Sequence, residues 1–186
     1  RQLLMRHAAT PGFRILDSYA NRSHIDATEA MLQSTFCWVP PGQRYGDARR
    51  HLAAAFLGCI PVFTVPDGHP TLEEVVGWPN ISVSIHPDQM EQIPTILRAI
   101  SPAQIWAMQD ALHCARRLLW FSSMYGACRA ELGTPGPDAF DALMGVLARR
   151  LPGYDRQQTD RIDFTDTECR RRLHSLANPR PRARAG

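Results

Sequence analysis

An α/β fold built on a parallel sheet is what this 186-residue chain predicts, and three observations carry the prediction. First, Thr35 to Val39 and Ile60 to Val65 are near-continuous apolar runs rather than alternating ones, as strands covered on both faces are. Second, a helix-length segment from about Asp47 to Leu57 separates them. A strand–helix–strand unit of that length implies a parallel pair with a right-handed crossover. Third, strand and helix candidates alternate on either side of this unit, the pattern of a layered α/β domain.

The elements follow in order. Arg1 to Ala9 reads as the end of a helix closed by Thr10-Pro11-Gly12; with no initiator Met and no signal peptide, the chain reads as truncated at its N-terminus. Phe13 to Leu16 is a short strand candidate. After the polar stretch at Asn21-Arg22-Ser23, Asp26 is placed to cap a helix that turns Ile25, Ala30 and Met31 inward. The central unit comes next, then a turn at Pro66-Asp67-Gly68 and a loop with one helical turn over His69 to Val76. Ile81 to Ile85 alternates with period two and predicts a half-covered strand at the sheet edge.

Met90, Ile93, Leu97 and Ile100 share a helical face, with Pro94 in the first turn where its missing N–H costs little. Ser101-Pro102-Ala103-Gln104 is a capping box opening the longest helix. The core stripe of that helix is Ile105, Met108, Leu112, Ala115, Leu119 and Ser122. Pro137 opens a last helix with Phe140, Leu143, Met144, Leu147 and Leu151 predicted inward. One domain is expected over residues 1–151, followed by a poorly ordered basic tail over 152–186, of which 177–186 reads as disordered.

Composition narrows the function classes. Hydrophobic residues make up 44% and charged residues 21%, as in a soluble globular domain large enough to bury a core. The formal net charge of +3 hides an asymmetry. Arg170 to Gly186 holds six arginines and no acid, so residues 1–169 carry 15 arginines against 18 acids, or −3. An acidic body with a basic tail argues against a nucleic-acid-binding domain. The apolar stretch Leu52 to Val65 is too short for a bilayer and is broken by Gly58 and Pro61. Five cysteines (Cys37, Cys59, Cys114, Cys128, Cys169) show no C-x-x-C and no paired histidine spacing, which argues against a zinc site. Cys37 and Cys59 fall inside apolar strands and read as buried small hydrophobes, which leaves any disulfide to the other three.

The loop from Pro40 to Gly46 lies at the carboxyl end of one strand and the amino end of a helix. In open α/β sheets ligands bind in that crevice, and exposed helix amides favour phosphate there. Arg49 and Arg50 fall in the first helical turn, so a nucleotide diphosphate is the natural occupant. Two adjacent arginines more commonly form a solvated face. Neither the dinucleotide fingerprint nor a P-loop is present.

The same stretch carries a family resemblance. Thr35-Phe36-Cys37-Trp38-Val39-Pro40-Pro41-Gly42, then Arg50 and Ala54, then Gly58-Cys59-Ile60-Pro61-Val62 resemble the exostosin-like glycosyltransferases. That family shows Phe-Cys-Leu-x-Pro-x-Gly, an arginine, an alanine four residues on, and Cys-x-Pro-Val. Glu74-Val75-Val76-Gly77-Trp78 is similar to the family's Glu-Val-Ile-x-Trp, and Gln92-Ile93-Pro94 with Arg98-Ala99-Ile100 extends the likeness, which covers roughly Ser34 to Ser123. The loop carries one extra residue, Ala53 stands where the family often has an acid, and Gly77 where it more often has a polar residue.

The resemblance implies a three-layer Rossmann-like sheet, the C-terminal, donor-binding half of a two-domain glycosyltransferase fold of the GT-B type. It implies transfer of a sugar from a nucleotide-sugar donor, UDP-linked by analogy, to a glycan, glycoprotein or polysaccharide acceptor, with inversion. The sequence has no D-x-D motif, so no metal and no cofactor is expected; protein cations would offset the diphosphate charge. The donor-binding residues implied are Arg50, with Arg49 as the alternative register, the loop residues Pro41, Gly42 and Tyr45, and Glu74 for the ribose hydroxyls. Glu73 is the neighbouring register for that carboxylate. Trp78 reads as packing, and Gly58 and Pro61 as allowing tight helix-to-strand contact.

His7, Asp17, His24, His51 and His69 are available as a general base, but nothing in the sequence places one, and the base is expected upstream of Arg1. His113 reads as a partly buried helix histidine. The family's setting implies a Golgi-lumen protein anchored by an N-terminal membrane helix not contained in this chain. The acceptor triplets at Asn21 and Asn80 permit that location. The alternative is a non-catalytic nucleotide-binding or interaction module derived from the same fold.

Overall fold

The computed structural model describes residues 5–16, 27–40, 49–64, 70–121 and 138–152. The chain divides into two compact units, residues 1–68 with 82–109 and residues 69–81 with 110–186.

The first unit is built on a parallel sheet of three strands in the order β1 (Phe36–Val39), β2 (Ile60–Phe63), β3 (Val83–Ser84). Phe36 pairs with Ile60 and Val39 with Phe63, while Val62 pairs with Val83. Helix α1 (Ala27–Leu32) precedes β1, and helix α2 (Arg50–Phe56) connects β1 to β2. The central strand–helix–strand unit is therefore present as the apolar runs predict. Side-chain alternation sorts the two faces. Val62, Ile85, Met90 and Ile93 form a buried cluster, with Phe36, Trp38, Val83, Ile96 and Leu97 packed against it. This puts helix α3 (Ile93–Ala99) on one face of the sheet. The opposite face carries Phe63, whose ring lies 6.0 Å from the buried ring of His51 on α2. The arrangement is helix, sheet, helix.

The expected helix from Asp47 begins instead at Arg50. Arg49 stands at its N-cap with φ 46°, a left-handed conformation that helical propagation cannot pass through. At the other end Gly58 has φ +76°. The amides of Leu57, Gly58 and Cys59 bond back to Ala53, Ala55 and Ala54, which closes the helix. A Cβ on Gly58 would meet nothing within 4 Å, so the glycine supplies backbone conformation rather than tight packing.

Cys37 and Cys59 are not separate buried thiols but a disulfide, with Cα atoms 5.7 Å apart. The parallel register sets Cys37 opposite Pro61, so Cys59, two residues earlier in chain, lies diagonally beside it on the same face. Cys114 is also disulfide-bonded.

Phe13 to Leu16 is not a strand. Phe13 and Ile15 pack on the apolar cluster without joining a ladder. Polar ties hold this segment: Arg98 Nη2 donates to the Pro11 carbonyl at 2.8 Å, and buried His7 donates from Nε2 to the Met90 carbonyl at 2.9 Å. The short helical turn Arg6–Ala9 and the left-handed Gly12 (φ 86°) close the N-terminal helix end as the sequence implies. Only Val83–Ser84 of the Ile81–Ile85 strand pairs fully, because the Ile81 amide is taken by Trp78 in the preceding turn.

The division between units falls within the longest helix, α4 (Pro102–Ala115). Its capping box forms: the Ser101 amide donates to Gln104 Oε1 at 2.9 Å and the Gln104 amide to Ser101 Oγ at 3.3 Å. In the second unit Ala111, Leu112, Ala115, Leu118, Leu119, Val76, Trp78 and Ile81 are buried. Helix α5 (Ala139–Arg149) starts at the buried cap Asp138, which accepts from the amides of Phe140 and Asp141, while Asp141 accepts from the Asp138 amide.

The inward face of α5 is not the predicted one. Ala139, Ala142, Gly145 and Val146 are buried, whereas Phe140, Met144, Leu147 and Leu151 are exposed. The small residues let the helix approach its neighbours closely, and the large ones fall to the flank. Among the described residues no helix is long and apolar enough to cross a membrane. The predicted Asp26 cap, the Pro66-Asp67-Gly68 turn, Pro137, and the basic tail beyond Pro152 lie outside the described residues.

The disulfide closes a separation of 22 residues. The paired substitution Cys37→Ala with Cys59→Ala should lower unfolding free energy by about 2–4 kcal/mol, read from the denaturant midpoint at unchanged slope. An unchanged midpoint would remove the bond from the list of what holds the sheet.

Candidate functional site

All three strands run parallel, so their carboxyl ends share one edge of the sheet. β1 ends at Val39 on that edge, and the described chain resumes at Arg49, at the start of α2. Pro41, Gly42 and Tyr45 lie outside the described residues. Arg49 and Arg50 bring two guanidinium groups to the start of α2, and both are exposed. Successive helical residues are turned by about 100°, so while Arg50 faces solvent His51 points inward, 1% exposed, against Phe63. The buried imidazole anchors the helix start to the sheet, and the arginines are presented outward from it.

The helix is only seven residues long. Its dipole and amides are therefore a minor part of any attraction for an anion, and the two guanidinium charges are the larger. A left-handed arginine stores backbone strain of roughly 1 kcal/mol, held here by the Leu52 amide, which donates to the Arg49 carbonyl at 3.0 Å.

Glu74 belongs to the second unit. It sits on a tight turn in which Leu72 has φ 53° and its carbonyl accepts from the amides of both Val75 and Val76. The Trp78 indole donates to the Thr71 carbonyl at 2.9 Å and is 3% exposed, so Trp78 packs and staples this turn, as the sequence implies. Glu74 accepts a charge-assisted bond from Arg150, at the end of α5. Nothing in the sequence foreshadows that pair, because 76 residues separate its members.

The histidines considered as bases divide. His7 and His51 are buried, His7 against the Met90 carbonyl. Asp17, His24 and His69 lie outside the described residues. His113 is exposed rather than partly buried, with Arg116 3.4 Å away. Among the described residues no three His, Cys, Asp or Glu side chains converge as metal ligands.

Comparison with known proteins places these residues in context. The family model "Exostosin GT47 domain" matches residues 1–100, which include Arg49, Arg50 and Glu74. A probable glucuronosyltransferase of Oryza sativa subsp. japonica is 31% identical over 124 residues, covering 67% of this chain and 28% of that protein. Exostosin-1 of Drosophila melanogaster is 35% identical over 127 residues, 68% of this chain and 15% of that protein. A probable beta-1,4-xylosyltransferase of Arabidopsis thaliana is 31% identical over 124 residues, again covering 28% of the relative. The chain thus spans less than a third of each of these relatives.

Removing the staple without removing the aromatic body tests the turn. Trp78→Phe should lower stability by about 1–3 kcal/mol, through the lost indole bond and the smaller buried volume. A thermal melt indistinguishable from wild type would mean that the turn is held by its backbone bonds alone.

Proposed function

The chain belongs to the exostosin GT47 family, and from that membership we propose that it is the donor-binding part of a glycosyltransferase. It takes a nucleotide-sugar, UDP-linked, and passes the sugar to a glycan or polysaccharide acceptor with inversion and without a metal. The observation that carries the reading is the exposed Arg49–Arg50 pair at the carboxyl edge of the parallel sheet, inside the matched residues. The relatives' names support the sugar-transfer chemistry: they read glucuronosyltransferase, xylosyltransferase and exostosin.

In an inverting displacement the acceptor hydroxyl oxygen attacks the anomeric carbon from the face opposite the diphosphate. The bond from that carbon to the phosphate oxygen breaks, and the leaving diphosphate takes the electron pair. The acceptor proton passes to a base. Negative charge grows on the phosphate as the bond opens, so a cation aimed there is worth more in the transition state than in the ground state. Arg50 is assigned that position, and Arg49, the adjacent guanidinium, shares the field. Glu74 accepts the ribose hydroxyls. The base and the acceptor groove are assigned to the part of the GT-B architecture outside this chain.

The missing D-x-D motif favours guanidinium over metal as the counter-charge. The Cys37–Cys59 bond, with a second at Cys114, favours an oxidising compartment and hence the Golgi lumen, reached through an N-terminal anchor in the complete protein.

Isothermal titration of the chain with UDP tests the reading. Arg50→Ala should weaken binding by about 10- to 100-fold, the value of a charge-assisted bond, and EDTA should leave the wild-type affinity unchanged. Wild type that binds no UDP would replace the donor site with an interaction module on the same fold. A strong EDTA effect would overturn metal independence.

A further inference from the structure

We propose that Arg150 is a positioning residue for the donor site: it holds the Glu74 carboxylate in the orientation that receives the ribose hydroxyls. The inference rests on the reading of Glu74 given above and adds a residue beyond the family match, which ends at residue 100.

An exposed ion pair by itself adds little to stability and often marks nothing. This pair differs in that both ends are fixed. Glu74 rides a turn made rigid by left-handed Leu72, by two amide bonds to the Leu72 carbonyl and by the Trp78 indole on Thr71. Arg150 caps α5, where its own amide donates to the carbonyls of Leu147 and Ala148, and the far end of that helix is pinned by the Asp138–Asp141 capping box. The guanidinium bonds Oε1 of Glu74 from Nη2.

A carboxylate offers two oxygens with two lone pairs each, so Oε2 and the second lone pair of Oε1 remain for a ligand. The Glu74 side chain is 41% exposed, so those acceptor sites are reachable by solvent and by a vicinal diol. Without Arg150 the glutamate would sample several rotamers and would have to be ordered when the ligand arrives. With it, that ordering is done beforehand. The device therefore acts on affinity for the diol and not on the phosphate contacts of Arg50.

The test compares UDP with 2′,3′-dideoxy-UDP, which keeps the base and diphosphate but lacks both hydroxyls. Glu74→Gln should weaken UDP by about 10- to 100-fold and Arg150→Gln by roughly three- to tenfold, with Arg150→Lys restoring part of the loss. The double variant should be no weaker than Glu74→Gln alone, because Arg150 acts only through Glu74. Affinity for the dideoxy nucleotide should be the same in wild type and in the Glu74 and Arg150 variants, with melting temperatures recorded to show that each is folded.

UDP affinity unchanged in Arg150→Gln, while Glu74→Gln and Arg50→Ala both lose it, would overturn the positioning role and leave the donor site standing. Equal losses for UDP and the dideoxy analogue would assign Arg150 to the fold instead. Wild type that binds neither nucleotide overturns the donor reading, and this inference falls with it.

Discussion

The parallel pairing of β1 with β2 is the constraint on which the rest depends. It sets the carboxyl ends of the strands on one edge of the sheet, and α2, with the two arginines at its head, runs between β1 and β2. A covalent bond enforces it: Cys37 in β1 and Cys59 at the threshold of β2 are joined across the pair. The connecting helix is short, stopped at one end by left-handed Arg49 and at the other by left-handed Gly58. A segment of this length, clamped at both ends and pinned by His51 against Phe63, has little freedom to turn its first residue inward. The exposure of Arg50 fits both the helix phase, which turns His51 inward, and the cost of burying a guanidinium charge.

Much of this was legible in the residues. The two apolar runs and the helix between them, the capping box at Ser101, the helix end at Thr10-Pro11-Gly12 and the packing role of Trp78 all follow from local chemistry, and the structure has them. What was not legible depends on register or on neighbours. The disulfide is diagonal across two strands, and no spacing along the chain reveals a diagonal. Phe13 and Ile15 have the look of a strand but find no partner for their backbone, so their side chains join the cluster alone. On α5 the large apolar residues gave the stronger periodic signal, yet Ala139, Ala142 and Gly145 face inward, because close approach of a helix rewards small side chains. The sites divide the same way: exposed Arg49 and Arg50 could be read from the loop-to-helix transition, whereas the Glu74–Arg150 pair exists only once α5 has folded back beside the 71–78 turn.

The two proposed donor contacts differ in how the protein would supply them. The charge proposed to meet the diphosphate comes from exposed side chains at the start of a helix, with no burial to strengthen them, so salt should screen its effect. The carboxylate assigned to the ribose is held by a turn, a staple and an ion pair, and acts through geometry.

The central claim is that the start of α2 meets the diphosphate. Amide chemical shifts of the 15N-labelled chain recorded with increasing UDP test it most directly. The account predicts saturable shifts concentrated from the residues after Val39 through His51, with a second group around Glu74. Shifts that saturate elsewhere while the amides of Arg49, Arg50 and His51 stay in place would contradict it.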